Sequence, residues 1–215
     1  MSLAFPIYSR GERIADAVVH VAGVGCAVIA GIVLLAVAVP GGAAQLAALG
    51  LYVFGVVAGF GFSAAYNLVS WPRAKAILRR FDHAAIFLMI AGSYTPFAAI
   101  AIGGLWGAVL LSAVWVVALC GVAMKLALPG RFERVSIVLY LMLGWAVLPM
   151  MGPVVEALSG ASLVLLLVGG GLYSLGVVFH LWHRLPYHNA IWHGFVLAAA
   201  VCHYIAVMRD GALRY

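Results

Sequence analysis

The chain has 215 residues, of which 67% are hydrophobic and only 8% charged, and its formal net charge is +6. An ordinary soluble domain carries roughly 25% charged residues, so this composition excludes a soluble globular protein and points to a membrane. The twelve basic residues lie scattered between apolar runs, not in a stripe or a basic tail, which excludes nucleic acid as the expected partner.

The opening residues, MSLAFPIYSRGERI, lack the apolar core and small-residue cleavage site of a removable signal peptide, so the first span is expected to direct insertion. About 20 apolar residues cross a bilayer core of roughly 30 Å. On that measure the sequence predicts an all-α integral membrane protein with seven transmembrane helices, over about 15–39, 43–69, 82–102, 104–128, 134–153, 160–182 and 188–208. Breaks fall at Pro40-Gly41-Gly42, Trp71-Pro72, Gly103-Gly104, Pro129-Gly130, Gly152-Pro153 and Leu185-Pro186, residue types that punctuate helices. The second break reads as a short basic loop carrying Arg73, Lys75, Arg79 and Arg80.

Positive residues stay preferentially in cytoplasmic loops. Ten of the twelve, namely Arg10, Arg13, Arg73, Lys75, Arg79, Arg80, Lys125, Arg131, Arg134 and Arg184, fall on one side of the expected topology, leaving Arg209 and Arg214 on the other. The N terminus is therefore expected in the cytoplasm and the C terminus outside. Residues 1–14 form a cytoplasmic segment, 15–208 the seven-helix transmembrane domain and 209–215 an external tail. Connections this short leave little surface for a large soluble partner, and membrane lipid is the expected one. No internal duplication is visible. Cys26, Cys120 and Cys202 each sit inside an apolar run and read as small hydrophobes buried between helices. Pro96, in GSYTPF, is expected to kink the third span, and Trp71, Trp106, Trp182 and Trp192 to anchor span ends at the interface.

Once this topology is folded up, polar residues gather in one leaflet. Glu12, Asp16 and His20 are spaced by four and share a helix face, as do Ser63 and Asn67. Asp82 and His83 open the third span, and His188, Asn189 and His193 open the seventh. Imidazole, carboxylate and amide are groups used by divalent-metal sites and by general acid/base sites. The same residues could instead be solvated at the interface, with Asp82 paired to Arg79 or Arg80. His203 stands ten residues beyond His193, roughly 15 Å deeper, and is left outside the cluster.

The E-x3-D-x3-H of Glu12, Asp16 and His20, the SAAYN of Ser63 to Asn67, FDHAAIFLMIAGSYTPF over 81–97, LYLMLGW ending at Trp145 and NAIWHGFV from Asn189 together resemble the hemolysin III branch of the progestin and adipoQ receptor family. The resemblance runs from about residue 10 to residue 208 and implies seven helices, a cytoplasmic N terminus and residence in a bacterial inner (plasma) membrane. In the receptor branch, zinc is held by one histidine of an S-x3-H motif and two of an H-x3-H motif, with an aspartate holding a zinc-bound water. Those positions fall on Asn67, Asn189 and His193, and on Asp82. Only His193 and Asp82 match, and an amide oxygen is a weak, neutral ligand for zinc, which counts against a tight site of the family type.

The ligand candidates are thus His193, His20, Asp82, Asn67 and Asn189, and the catalytic candidates Asp82 and Ser63. His20, Asp82 and His193 make a rearranged three-ligand set; alternatively the pocket is metal-free, with both asparagines bonded to Asp82 and His193. His188, one residue from the family position, turns about 100° away on a helix. The resemblance implies a metal-assisted hydrolase acting on a lipid amide; the alternatives are a non-catalytic membrane sensor or homeostasis protein and, with no continuous polar face to line a wide path, a pore.

Overall fold

A computed structural model describes residues 8–213, so Met1–Ile7 of the expected N-terminal segment and Arg214 and Tyr215 of the expected tail lie outside the described residues. Eight α-helices follow one another: α1 (Arg10–Ala38), α2 (Gly42–Leu68), α3 (Pro72–Pro96), α4 (Gly104–Ala127), α5 (Glu133–Gly144), α6 (Met151–Ala157), α7 (Gly160–Leu181) and α8 (His188–Val207), and no strand occurs among the described residues. Among the described residues, six segments are long and apolar enough to cross a membrane, the first of them Arg10–Leu68, which comprises α1, α2 and the tight turn at Val39–Gly41 between them.

Several ends differ from the sequence expectation for local chemical reasons. Helix α1 begins at Arg10, not at residue 15, because Ser9 and Glu12 form a capping box: the Glu12 amide donates to Ser9 Oγ (3.3 Å) and the Ser9 amide to Glu12 Oε2 (2.8 Å). The basic stretch after Trp71 is no loop. It forms the first turns of α3, with Pro72 at a leading position where a missing N–H costs nothing. Lys75 Nζ reaches back to the final carbonyls of α2, 3.0 Å from Tyr66 O. The expected span over 134–153 is interrupted: α5 stops at Gly144, a 3-10 turn covers Leu148–Met150 around Pro149, and α6 follows.

Past Pro96, α3 continues as a π-helical turn over Phe97–Ile102. Thr95 Oγ1 bonds the Ala91 carbonyl (2.8 Å) and receives Trp115 Nε1 (3.0 Å), so hydroxyl and indole groups supply hydrogen bonding around the proline.

Close backbone approach sets the helix pairs that matter for the site. A Cβ on Gly55 would lie 2.6 Å from Leu88 O, and one on Gly92 2.9 Å from Leu51 O, so α2 and α3 pack nearly backbone to backbone. Gly23 faces the Phe60 ring and Gly31 faces Val53, which sets α1 antiparallel to α2. Outward faces remain apolar, with Ile29 66% and Leu105 75% exposed, the surface that lipid covers. Cys26 and Cys120 lie on such exposed surface, not between helices as expected. At the far end, Met208–Ala212 continue α8 into the expected tail, Gln45 Nε2 donates to Gly211 O (2.9 Å), and Asp210 accepts from the Ser159 amide and hydroxyl.

Candidate functional site

At the end of the bundle where α1, α3 and α8 begin and α2 finishes, the polar residues of these helices meet. Asp16, His20 and His193 bring three ligand-type atoms within 4.8 Å of one another. His20 is 2% exposed, and the two imidazole rings lie 4.2 Å apart between centroids.

Hydrogen bonds decide how those imidazoles point. His20 Nδ1 donates to the Asp16 carbonyl one turn earlier (2.7 Å), and His193 Nδ1 donates to the Asn189 carbonyl one turn earlier (3.0 Å). A carbonyl only accepts, so both Nδ1 atoms carry the proton and both Nε2 atoms carry a lone pair. Those lone pairs converge, because Ser63 Oγ lies 3.2 Å from His20 Nε2 and 3.1 Å from His193 Nε2. Asp16 Oδ1 sits behind the rings, 3.5 Å from each Nδ1. It is placed to orient both rings and to strengthen their lone pairs.

The asparagines act inside the network. Asn189 Nδ2 donates to Asp16 Oδ1 (2.9 Å) and to Asn67 Oδ1 (3.1 Å); Asn67 Nδ2 donates to Ser63 O (2.9 Å) and to His20 Nε2 (3.2 Å). Their amides thus reach Asp16 and His20, and not Asp82 and His193 as the metal-free expectation had it. Asp82 falls outside the 4.8 Å donor cluster, and His83, His193, Ser63 and Arg79 all act on it. The E-x3-D-x3-H spacing resolves into three tasks on one face of α1. Glu12 Oε1 accepts the Tyr187 amide (3.0 Å) and ties the start of α1 to that of α8, Asp16 backs the rings, and His20 presents a lone pair.

Asp16 was the donor missed in the sequence, although its four-residue offset from His20 carried the signal. His188 opens α8 without unwinding and stays out of this cluster, edge-on to His183 at 5.5 Å between ring centroids. Arg79 acts electrostatically on Asp82, as one expectation had it, and forms its ion pair with Glu133 at 3.4 Å. Glu133 also meets Lys125 Nζ at 3.2 Å and His83 Nδ1 at 3.3 Å, and the Tyr140 hydroxyl donates to His83 O (2.8 Å). Beyond the tip of the bundle, burial pushes the Tyr8 phenol up to about 12, so it stays protonated at neutral pH.

The donor set suits a borderline ion such as zinc at His20 and His193, with two neutral imidazole lone pairs converging and a carboxylate orienting both rings. It does not suit zinc at Asn67 and Asn189, whose amide groups are spent on neighbouring side chains.

A family model described as haemolysin-III related matches residues 11–204. Hemolysin-3 of Bacillus cereus is 35% identical over 198 residues, covering 92% of this chain and 90% of that protein. A hemolysin-3 homolog of Bacillus subtilis is 35% identical over 203 residues, 94% and 95% of the two chains. The monocyte to macrophage differentiation factor of Homo sapiens is 30% identical over 168 residues, 74% and 68% of the two chains.

Proposed function

Because the chain belongs to the haemolysin-III-related family, we propose that it is a seven-span protein of the bacterial inner membrane whose polar cluster faces the cytoplasm, holds a zinc-class ion and hydrolyses a lipid amide. Seven crossings are favoured by length: the 59 residues of Arg10–Leu68 would extend about 90 Å as one helix, roughly three bilayer cores. Folded at Val39–Gly41, the segment supplies two spans, and the interrupted α5–α6 stretch supplies one. The charge partition favours a cytoplasmic site, since Arg10, Arg13, Arg73, Lys75 and Arg79 lie at the same end as the cluster.

One observation carries the chemical reading: the Nε2 lone pairs of His20 and His193 both point at Ser63 Oγ, with each Nδ1 tied to a carbonyl of its own helix. His20 and His193 would hold the ion through Nε2, and Asp16 keeps their rings in that tautomer. Bound there, the ion supplies Lewis-acid polarisation of an amide carbonyl. Asp82, which interacts with both Ser63 and His193, is the group that takes a proton from attacking water at a carboxylate oxygen and returns it to the amine as the C–N bond breaks, and the Ser63 hydroxyl positions that water by hydrogen bonding. The apolar flanks of α1 and α8 exclude bulk water from the deeper side of the cluster.

A sensing role is the second reading, favoured by the closed hydrogen-bond path from Asp16 through Asn189 and Asn67 to His20, which holds the imidazoles without further partners. The two readings separate by metal content and turnover. The protein purified in detergent without chelator is expected to carry zinc that His193→Ala loses. Asp82→Asn is expected to keep the zinc and lose hydrolysis of a long-chain lipid amide. Wild-type protein that carries zinc yet leaves such amides intact overturns the enzyme and leaves the sensor; no zinc in wild type overturns the ion site itself.

A further inference from the structure

At the start of α8 lies a second pair of imidazoles, His183 and His188. The turn after α7 brings them together: Leu185 N donates to Trp182 O (2.9 Å) and His188 N to Leu185 O (3.2 Å). Tyr187 completes the turn in the left-handed region at φ 61°, a conformation a bulky residue adopts only when its surroundings enforce it, and Glu12 holds its amide. His183, exposed, then meets His188, which is only 7% exposed, edge to face with ring centroids 5.5 Å apart.

His188 Nδ1 is fully buried and has no hydrogen-bond partner among the described residues. Buried imidazole nitrogens are nearly always paired, because leaving one unpaired forfeits its hydration with nothing in return. The Tyr8 ring lies 5.9 Å from that of His188, tilted by 50°.

We propose that His183 and His188 form a second divalent-cation site, separate from the Asp16/His20/His193 cluster, which takes zinc or a similar borderline ion. Imidazole nitrogen selects ions of this class over magnesium or calcium, which require oxygen donors. One ligand is exposed and the other buried, and His188 stands five residues before His193 on α8.

Zinc stoichiometry of the full-length protein in detergent tests this independently of the inner cluster. Equilibrium dialysis against zinc, read by elemental analysis, is expected to give about two equivalents for wild type and about one for each of His183→Ala, His188→Gln and His193→Ala. His183 is on the surface, so its removal leaves the fold intact even if His188→Gln does not. His183→Ala that binds as much zinc as wild type overturns the proposal. A wild-type equivalent lost in His183→Ala and retained in His193→Ala upholds this site and removes the inner one; the opposite pattern overturns this site and leaves the inner one standing.

Discussion

Around Glu133, one carboxylate meets Arg79, His83 and Lys125, whereas around Ser63 two imidazole lone pairs, two amides and a carboxylate meet, with Lys75 reaching the backbone carbonyl of Asn67. Both regions lie at the same end of the bundle, and Asp82 and His83, adjacent in sequence, belong to one each. The Glu133 hub balances charge with charge and joins α3, α4 and α5, so it holds the helices together and has nothing left to offer a ligand. The Ser63 region gives Asn67 Nδ2 to His20 Nε2 and Asn189 Nδ2 to Asp16 Oδ1, and among the described residues leaves His193 Nε2 only the Ser63 hydroxyl, which has a single proton to give. Polar residues in a membrane bundle therefore differ in purpose according to whether their charges and lone pairs are spent on one another.

The comparison is tested hardest by Glu133→Gln. Lys125 is 2% exposed, and losing its anionic partner leaves a buried ammonium uncompensated, which typically costs about 3–5 kcal/mol. Because Glu133 itself is 36% exposed, solvent screening lowers the expected loss to about 2–3 kcal/mol, read as a fall in melting temperature in detergent. Zinc content of this variant is expected to match wild type. If it falls while the protein remains folded, the two regions are one coupled unit and the contrast fails.

Asp16→Asn sharpens the other side of the contrast. Its carboxylate stands behind both Nδ1 atoms, and removal of such an orienting group typically weakens metal binding about 10–100-fold. The melting temperature is expected to move little, since an asparagine can still accept from Asn189. Unchanged zinc affinity in this variant would leave Asp16 without a role in the site.

The smallest effect is expected for Arg79→Ala. Its guanidinium is 43% exposed and meets Glu133 at only 3.4 Å, so about 0.5 kcal/mol or less is at stake. A destabilisation comparable to that of Glu133→Gln would place the weight of the hub on Arg79 and not on Lys125.

Much of the site was legible in the sequence because helical periodicity is strict. Four-residue spacings placed Asp16 under His20 and Ser63 under Asn67, and the clustering of polar residues at span ends placed four helices in one leaflet. Periodicity says nothing about which atom of a side chain faces which neighbour. It could not show that Asn67 and Asn189 turn their amides toward His20 and Asp16, or that Asp16 belongs with the two histidines while Asp82 falls outside their cluster. Hydropathy likewise missed the first turns of α3, because Arg73, Lys75, Arg79 and Arg80 lower the apolar score of residues that are helical, and it read through the break at Trp145–Met150, where the residues stay apolar but Pro149 and Gly144 interrupt the backbone pattern.

By itself the sequence determined that this protein is helical and lives in a membrane, since an apolar chain with so few charges has no other way to satisfy its backbone in lipid. It also determined which end of the bundle carries the polar groups. The tertiary structure alone decided which of those groups meet, because contacts between α1, α2 and α8 join residues more than a hundred positions apart, as Ser63 does with His193. Their distances depend on how closely glycines such as Gly23 and Gly55 let the helices approach, a quantity no linear pattern encodes.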